Sequence, residues 1–289
     1  MRWKEAAVKY GLAAAASMTI LIVALIFLFL AKEAAPFAAE PGLPALGKTR
    51  WIPVTSNEPQ YGILPLLSGS LLVTLIATVI AIPFGVLGAV YLSEVAGAWE
   101  REILKPFIEL LAGIPSVVLG FFGLMVLAPI VKDVFGLGTG MCALTGGVLL
   151  AFMAVPTIIS ISEDAIRSVP LSYKEASLAL GASRLETIVK VTIPAALSGI
   201  IAAVMLGMGR VIGETMAVLM VTGNSPIITA NPFHSVRTMT ATVAAEMGEV
   251  CFSSTHYNAL FCIGVVLLLA TFGLNLVAQW ALKGKGMRE

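Results

Sequence analysis

The sequence has few charged residues for its length. Only 12% of its 289 residues are Asp, Glu, Lys or Arg, whereas the hydrophobic set makes up 58% and mean hydropathy is +0.96. Soluble domains carry roughly 25% charged residues, so a soluble globular protein of this size is not expected. The formal net charge of +1 gives no indication of a nucleic-acid partner. The composition instead predicts an integral membrane protein in contact with the lipid bilayer.

Cysteine is also scarce. Cys142, Cys251 and Cys262 form neither a CxxC motif nor a metal-binding spacing, so we expect apolar packing residues and no metal site. The GxxxxGK[ST] phosphate loop is absent from the sequence. Nucleotide binding through such a loop is therefore not expected in this chain.

Long apolar stretches recur along the chain. A bilayer core of about 30 Å requires roughly 20 apolar residues per helix. Such windows lie at 11–31, 59–93 (apolar body 67–92), 110–131, 134–162 (apolar from 141), 191–222 and 250–282 (apolar from 259). The sequence therefore predicts an all-α integral membrane protein of about six transmembrane helices.

The first window follows Arg2, Lys4 and Lys9, as the apolar part of a signal peptide also would. It is longer than the roughly 7–15 residues of a signal sequence's apolar region, which favours a retained anchor helix. Residues 1–66 are therefore predicted to be an anchor helix and a proline-rich loop outside the cytoplasm. Residues 67–289 are predicted to form the main transmembrane domain.

Lys and Arg in the connecting segments predict the orientation. With the N-terminus in the cytoplasm, twelve of these residues lie on the cytoplasmic side and five on the outer side. Cytoplasmic loops of multi-span proteins carry the excess of Lys and Arg. Both termini are therefore predicted to be cytoplasmic, which an even number of spans also requires.

The cytoplasmic loop at 163–193 is predicted to contain two short helices. The stretch 174–180 favours helix and Gly181 is a plausible stop, while a second helix is expected at about 184–191. Two short helices at this position would form a compact knob that a soluble partner could bind.

The same loop resembles the EAA loop of ABC-importer permeases, whose pattern is E-A-A, three residues, G, nine residues, I-x-L-P. The residues at the motif positions are Glu175, Ala176, Ser177, Gly181 and Pro194. The spacing fits throughout, and Ser177 in place of the motif's second alanine is a mild departure. The resemblance implies that the loop holds a coupling helix that docks into a separate ATP-binding subunit, with Glu175, Ala176 and Gly181 at that interface.

Arg210 and Glu214 interrupt the fifth window. Each charge at the centre of a membrane helix costs about 2.5–3.5 kcal/mol on the insertion scale, so such residues face a polar interior or pair with each other. Their i, i+4 spacing predicts that both lie on one helix face. One interpretation is a structural ion pair that offsets its own burial. The other is a translocation site, in which Arg210 receives a phosphate-like oxyanion and Glu214 holds Arg210 in place.

The stretches Gly207–Val218 and Gly113–Val118 resemble the PstC-type permease subunit of the phosphate-specific ABC importer (the Pst system). Together with the EAA loop, the resemblance covers roughly residues 65–285. It implies the type I ABC importer (MetI-like) permease fold, with 67–289 as the permease domain. It also implies that Arg210 and Glu214 take part in phosphate passage.

The resemblance further implies a complex in a bacterial or archaeal plasma (inner) membrane. This permease would pair with a PstA-type permease, bind a PstB-type ATPase dimer inside and receive phosphate from a PstS-type binding protein outside. ATP and Mg would be bound by the ATPase, so this chain would be no enzyme and would hold no cofactor.

Two alternatives stay open from the residues. One is another oxyanion, such as molybdate, tungstate or sulfate, because an arginine alone does not distinguish tetrahedral oxyanions. The other is an ion-driven secondary transporter using Arg210 and Glu214 as a relay, which the EAA loop disfavours. The sequence also leaves open whether the loop at 223–258 re-enters the membrane, and any part in phosphate sensing would act through partners.

Overall fold

A computed structural model describes residues 2–55 and 58–286, and these residues are mostly helical. The long helices are α1 (Arg2–Phe37), α2 (Leu64–Val90), α3 (Ala98–Ala112), α6 (Ala143–Arg167), α10 (Leu197–Gly213) and α13 (Thr255–Gly286). The shorter ones are α4 (Ser116–Phe122), α5 (Ala128–Phe135), α7 (Leu171–Ala179), α8 (Arg184–Thr187), α9 (Ile193–Ala195), α11 (Met216–Val221) and α12 (Met239–Glu246). The strands β1 (Trp51–Ile52) and β2 (Gln60–Tyr61) form an antiparallel pair.

Within the described part of the chain, five helical segments are long and apolar enough to cross a membrane. They are Glu5–Gly47, Leu64–Val95, Ser116–Phe135, Ala143–Arg167 and Thr255–Leu276. The bent pair Arg184–Ala195 and Leu197–Gly213 makes a sixth if it counts as one span. The prediction of an all-α membrane protein with about six spans is confirmed. We call the end of the spans at Arg167 the inner end, the predicted cytoplasmic side, and the opposite end the outer end.

The predicted third span, 110–131, is wrong at its start. Helix α3 ends at Ala112, the chain leaves helical geometry near Pro115 (ψ 136°), and the span begins at Ser116. Proline disfavours helical geometry in the residue before it and has no N–H to donate, so the helix ends there. The apolar stretch after Glu109 belongs to two helices, which hydropathy alone does not separate.

The predicted fifth span, 191–222, is also broken. The segments 184–195 and 197–213 meet at an angle of 69° just after Pro194. Helix α10 then ends at Gly213, and Glu214 has extended geometry with ψ 131° before α11 begins. Non-helical backbone at membrane depth is tolerated only where it is buried in protein or lines a water-filled cavity.

The core lies where α2 and α10 pack on α6. Ile158 of α6 is 1% exposed and sits between two glycines on its neighbours. A Cβ at Gly85 of α2 would lie 2.6 Å from Ile158, and one at Gly207 of α10 would lie 2.7 Å from it. Small residues of this kind let membrane helices approach closely. The two glycines therefore fix the positions of α6 and α10, the two helices that carry the candidate site.

The predicted proline-rich loop within residues 1–66 contains regular structure. Helix α1 continues to Phe37 and packs against α13, and the β1–β2 pair follows. The buried rings of Phe37, Trp51 and Tyr61 meet edge to face, with centroids 5.4 Å and 6.1 Å apart. The loop after α11 contains α12. The division into residues 1–66 and 67–289 stays a prediction.

Candidate translocation site and coupling loop

Arg210 lies in the last turn of α10 and bridges two other elements. Its Nη1 donates to Thr157 Oγ1 of α6 at 3.4 Å, and its Nη2 donates to the carbonyl oxygen of Ala112 at 3.2 Å. Arg210 is half-buried. The side chain therefore has polar partners inside the protein and retains surface for another ligand.

The position of Arg210 along the spans follows from helix geometry. At about 1.5 Å per residue, Thr157 lies about 21 Å from Ala143 at the outer end of α6. By the same rise it lies about 15 Å from Arg167 at the inner end. Because Arg210 contacts Thr157, its guanidinium is close to the middle of the span. Substrate sites of membrane transporters commonly lie at this depth.

The prediction that Arg210 and Glu214 share a helix face is wrong. Helix α10 ends at Gly213, so the i, i+4 relation does not extend to Glu214. Among the described residues, the ion pairs include neither side chain. Glu214 instead caps α11: its Oε1 accepts from the N–H of Ala217 at 3.1 Å, and its carbonyl accepts from Thr240 Oγ1 at 2.9 Å. Glu214 therefore stabilises the start of α11 and does not position Arg210. The hydrogen-bond partners that position Arg210 are Thr157 and the Ala112 carbonyl.

Helix α3 presents the Ala112 carbonyl to Arg210. The last carbonyls of a helix have no intrahelical partner and carry its partial negative charge, so a guanidinium is a suitable donor there. The break near Pro115 exposes this helix end, and Ser116 then starts the next span. The contact therefore joins three elements, α3, α6 and α10, at one point.

The inner part of α3 is fixed by a buried carboxylate. Glu163 of α6 is 1% exposed, and three cations surround it: Lys105 at 2.6 Å, Arg167 at 3.5 Å and Arg101 at 3.7 Å. Lys105 also contacts Asp164 at 2.7 Å. Hydrogen bonds to Asp164 and Glu163 raise the pKa of Lys105 above its ordinary value. The cluster anchors α3 along the inner half of α6.

The predicted coupling loop, residues 163–193, begins later than expected, because α6 continues to Arg167 and residues 163–167 belong to that helix. The rest of the loop contains the two predicted short helices. Gly181 between them has φ +87°, a left-handed geometry that favours glycine. Ser177 Oγ and Thr187 Oγ1 lie 2.9 Å apart and tie the helices together. Ser183 caps α8, and the carboxylate of Glu186 accepts from the N–H of Ser183 at 3.0 Å. The loop is therefore a folded knob, as the sequence predicts.

The knob presents apolar side chains. Leu171, Leu180 and Leu185 are 70%, 90% and 71% exposed, although leucine is ordinarily a buried residue. Two of the predicted interface residues, Glu175 and Ala176, are also exposed. Of the others, Gly181 shapes the turn, Ser177 joins the two helices, and Pro194 lies at the bend of the fifth span. This surface has the character of a protein interface.

A second polar cluster lies at the outer end. Glu246 of α12 accepts from Arg237 at 2.8 Å, contacts His256 at 2.8 Å, and accepts from Trp51 Nε1 at 3.1 Å. Burial opposes ionisation of Glu246, but these contacts outweigh it, so its pKa is lowered from the ordinary 4.5. Because Trp51 belongs to β1, the cluster fastens the N-terminal segment to the transmembrane bundle.

Sequence reasoning missed Thr157, the Ala112 carbonyl and the Glu163 cluster. Threonine is frequent in membrane helices and a backbone carbonyl has no sequence signature, so neither gave a signal. Glu163 and Lys105 are 58 residues apart, and charge patterning alone favours a solvated connection for each of them. A usable signal was the amphipathic pattern of residues 98–112, which predicts a helix packed on one face.

The fold and the site define the class of protein. Three of its features are typical of a transport permease. They are a broken span with an arginine near its middle, five or six membrane-crossing segments, and a knob of two short helices. A structure of a bacterial ABC transporter that imports alginate superposes on this chain with a TM-score of 0.67, at 13% identity over all of both chains. An inward-facing structure of the MetNI methionine ABC transporter gives 0.59 at 19% identity, covering 85% of this chain and 98% of that chain. The fold is that of type I ABC importer permeases.

Sequence comparison gives the family. The chain belongs to the family of binding-protein-dependent transport system inner membrane components, whose model matches residues 81–283. It is 43% identical to the probable ABC transporter permease protein YqgH of Bacillus subtilis, over 81% of this chain and 76% of that protein. It is 34% identical to the phosphate transport system permease protein PstC of Xylella fastidiosa, over 86% of this chain and 81% of that protein. It is 36% identical to the phosphate transport system permease protein PstC 1 of Mycobacterium tuberculosis, over 76% of this chain and 71% of that protein.

Proposed function

We propose that this chain is the PstC-type permease subunit of an ATP-driven importer of inorganic phosphate, and that phosphate passes at Arg210. The observation that carries this proposal is a half-buried guanidinium near mid-membrane, held by one hydroxyl and one carbonyl and by no carboxylate among the described residues. Such a group keeps its positive charge available. The planar donor set of arginine suits phosphate oxygens, to which it can donate two parallel hydrogen bonds.

The coupling loop is the proposed contact with a PstB-type ATPase dimer. Its exposed leucines suit a protein groove, and Glu175 and Ala176 lie on the exposed side of α7. A PstA-type permease would complete the pathway, and a PstS-type protein would deliver phosphate to the outer end. In this complex ATP and Mg belong to the ATPase, and this chain supplies the pathway and the mechanical contact.

Transport by the reconstituted complex tests the proposal. The four components are co-purified, placed in liposomes loaded with ATP and Mg, and given labelled phosphate on the outer side. We expect uptake that requires ATP, with ADP-loaded liposomes as the control, and little competition from excess sulfate or molybdate. Uptake of sulfate or molybdate without phosphate would refute the substrate assignment, and uptake independent of ATP would refute the transport class.

The proposed orientation has both termini in the cytoplasm of a bacterial or archaeal cell whose plasma membrane holds the complex. Cys251 offers a direct test, because it is exposed in the loop before α13, whereas Cys142 and Cys262 are buried. A membrane-impermeant maleimide applied to intact spheroplasts should label this chain, and Cys251→Ser should abolish the labelling. Labelling that appears only after the membrane is opened would reverse the orientation.

A further inference from the structure

The ion pair between Lys174 and Glu94 joins the coupling loop to a membrane span. Lys174 belongs to α7, and Glu94 lies in the turn that ends the second span. Lys174 Nζ lies 2.5 Å from Glu94 Oε1, and the two side chains are only 19% and 12% exposed. Ion pairs in full contact with solvent contribute little because water and salt screen them. Partial burial makes this pair a firmer connection between two segments 80 residues apart.

The pair bridges a cleft rather than reinforcing a packed interface. Both side chains line an open cavity of about 540 Å³, together with apolar residues that include Val95, Leu178 and Ile188. Side chains on the two sides of such a cleft are not close-packed. The ends of the loop also pack against the second span, because Val169 belongs to the buried apolar cluster that includes Ala89 of α2, and Ile193 packs against that cluster. The charged contact adds a direct connection between α7 itself and the turn at 91–95.

The turn that holds Glu94 is also bound to α3. Arg101 of α3 donates to the carbonyl oxygen of Leu92 through Nε at 3.0 Å and Nη2 at 2.6 Å, and to that of Ser93 at 2.9 Å. Helix α3 in turn ends at the Ala112 carbonyl that binds Arg210. A continuous series of contacts thus runs from α7 through the turn at 91–95 and along α3 to the candidate translocation site.

We propose that Lys174 and Glu94 are a positioning pair that conveys ATPase-driven movement of the coupling helix to the wall of the translocation pathway. The inference rests on the proposed function, because it assigns α7 to the ATPase contact and Arg210 to phosphate passage. The pair touches neither nucleotide nor phosphate. Loss of the pair should therefore leave ATP hydrolysis and phosphate binding intact. It should lower the number of phosphate ions that are transported for each ATP hydrolysed.

The first test measures phosphate uptake and ATP hydrolysis in the same liposomes. Lys174→Ala and Glu94→Ala should each lower the number of phosphates transported per ATP by about fivefold, a typical size for coupling effects, while hydrolysis continues. The exchange Glu94→Lys with Lys174→Glu should recover most of that ratio. Lys32→Ala is the matched control, because its ion pair with Glu33 lies outside the coupling loop and the Lys32 side chain is 80% exposed.

Two results would overturn the inference. One is an unchanged ratio of phosphate transported to ATP hydrolysed in both single variants. This result includes the case in which uptake, hydrolysis and the melting temperature all fall together, because a purely structural role of the pair predicts that outcome. The other is a double exchange that restores nothing although the complex assembles.

A second readout needs no phosphate. In a Cys251→Ser background, the variant Gly213→Cys reports access to the pathway. Residue 213 lies three residues after Arg210 on the same face of α10, and an added Cβ there has no neighbouring atom within 4 Å. Vanadate trapping should change its labelling rate in the parent, and Lys174→Ala should abolish that change; an equal change in both refutes the inference. A parent complex that shows the change but transports no phosphate would refute only the substrate assignment.

Discussion

Replacing the buried carboxylate of Glu163 should destabilise the protein strongly. The change Glu163→Gln preserves the shape of the side chain and removes the negative charge facing Lys105, Arg101 and Arg167. Removing one partner of a buried charge group costs about 3–5 kcal/mol, because the remaining charges lose their compensation. Lys105 retains Asp164, so the lower end of that range is expected.

The assay is thermal unfolding of the detergent-solubilised complex. For a chain of this size, each 1 kcal/mol shifts the melting temperature by about 2–4 °C, so Glu163→Gln should melt about 6–12 °C below the parent. The matched control is Asp164→Asn, which also removes a partner of Lys105 but at a side chain that is 64% exposed. An exposed ion pair contributes about 0–1 kcal/mol, so this control should melt within about 4 °C of the parent.

Equal melting temperatures for Glu163→Gln and the parent would refute the reasoning. They would show that the three cations find other partners or water, and that α3 is not fixed to α6 by this cluster. A control that melts as low as Glu163→Gln would place the stabilising contact at Asp164 instead.

Three further predictions concern separate parts of the molecule. Thr157→Val should raise the KM for phosphate uptake about two- to tenfold, because Arg210 loses a hydrogen bond of about 0.5–1.5 kcal/mol; an unchanged KM would contradict this. Gly181→Ala should reduce retention of the ATPase on co-purification, because a side chain at φ +87° costs about 1–3 kcal/mol; full retention would contradict it. Because the pKa of Glu246 is lowered on folding, its contribution to stability is present above pH 4.5 and is lost as the pH falls below that value. Melting curves between pH 6 and 3 should show that loss, and Glu246→Gln should remove it.

The sequence predicts the parts of the fold that depend on hydropathy and turn chemistry. The windows at 11–31, 134–162 and 250–282 correspond to α1, α6 and α13 because each lacks internal charge over the length of a bilayer. The knob was predictable because Gly181 ends a helix and charged residues place the loop in water. The motif around Glu175 then assigned the loop a role that the residues alone do not specify.

The broken spans could not be predicted in the same way. Hydropathy averages over the break at Pro115 and over the end of α10 at Gly213, so both breaks lie inside windows that look continuous. The consequence is largest at Glu214, where an uninterrupted helix would have placed the carboxylate beside Arg210. Tertiary contacts decide the outcome: Ala217 and Thr240 bind Glu214, and Thr157 binds Arg210.

The central claim is that Arg210 binds phosphate during passage through the membrane. Two charge-assisted hydrogen bonds contribute about 1.5–3 kcal/mol each, so Arg210→Gln should weaken phosphate binding by about two to four orders of magnitude. The decisive measurement is phosphate uptake into ATP-loaded liposomes by the parent and Arg210→Gln complexes side by side, with assembly and melting temperature checked for both. We expect an assembled variant complex whose uptake falls to background. Uptake at the parent rate by that variant would contradict the claim.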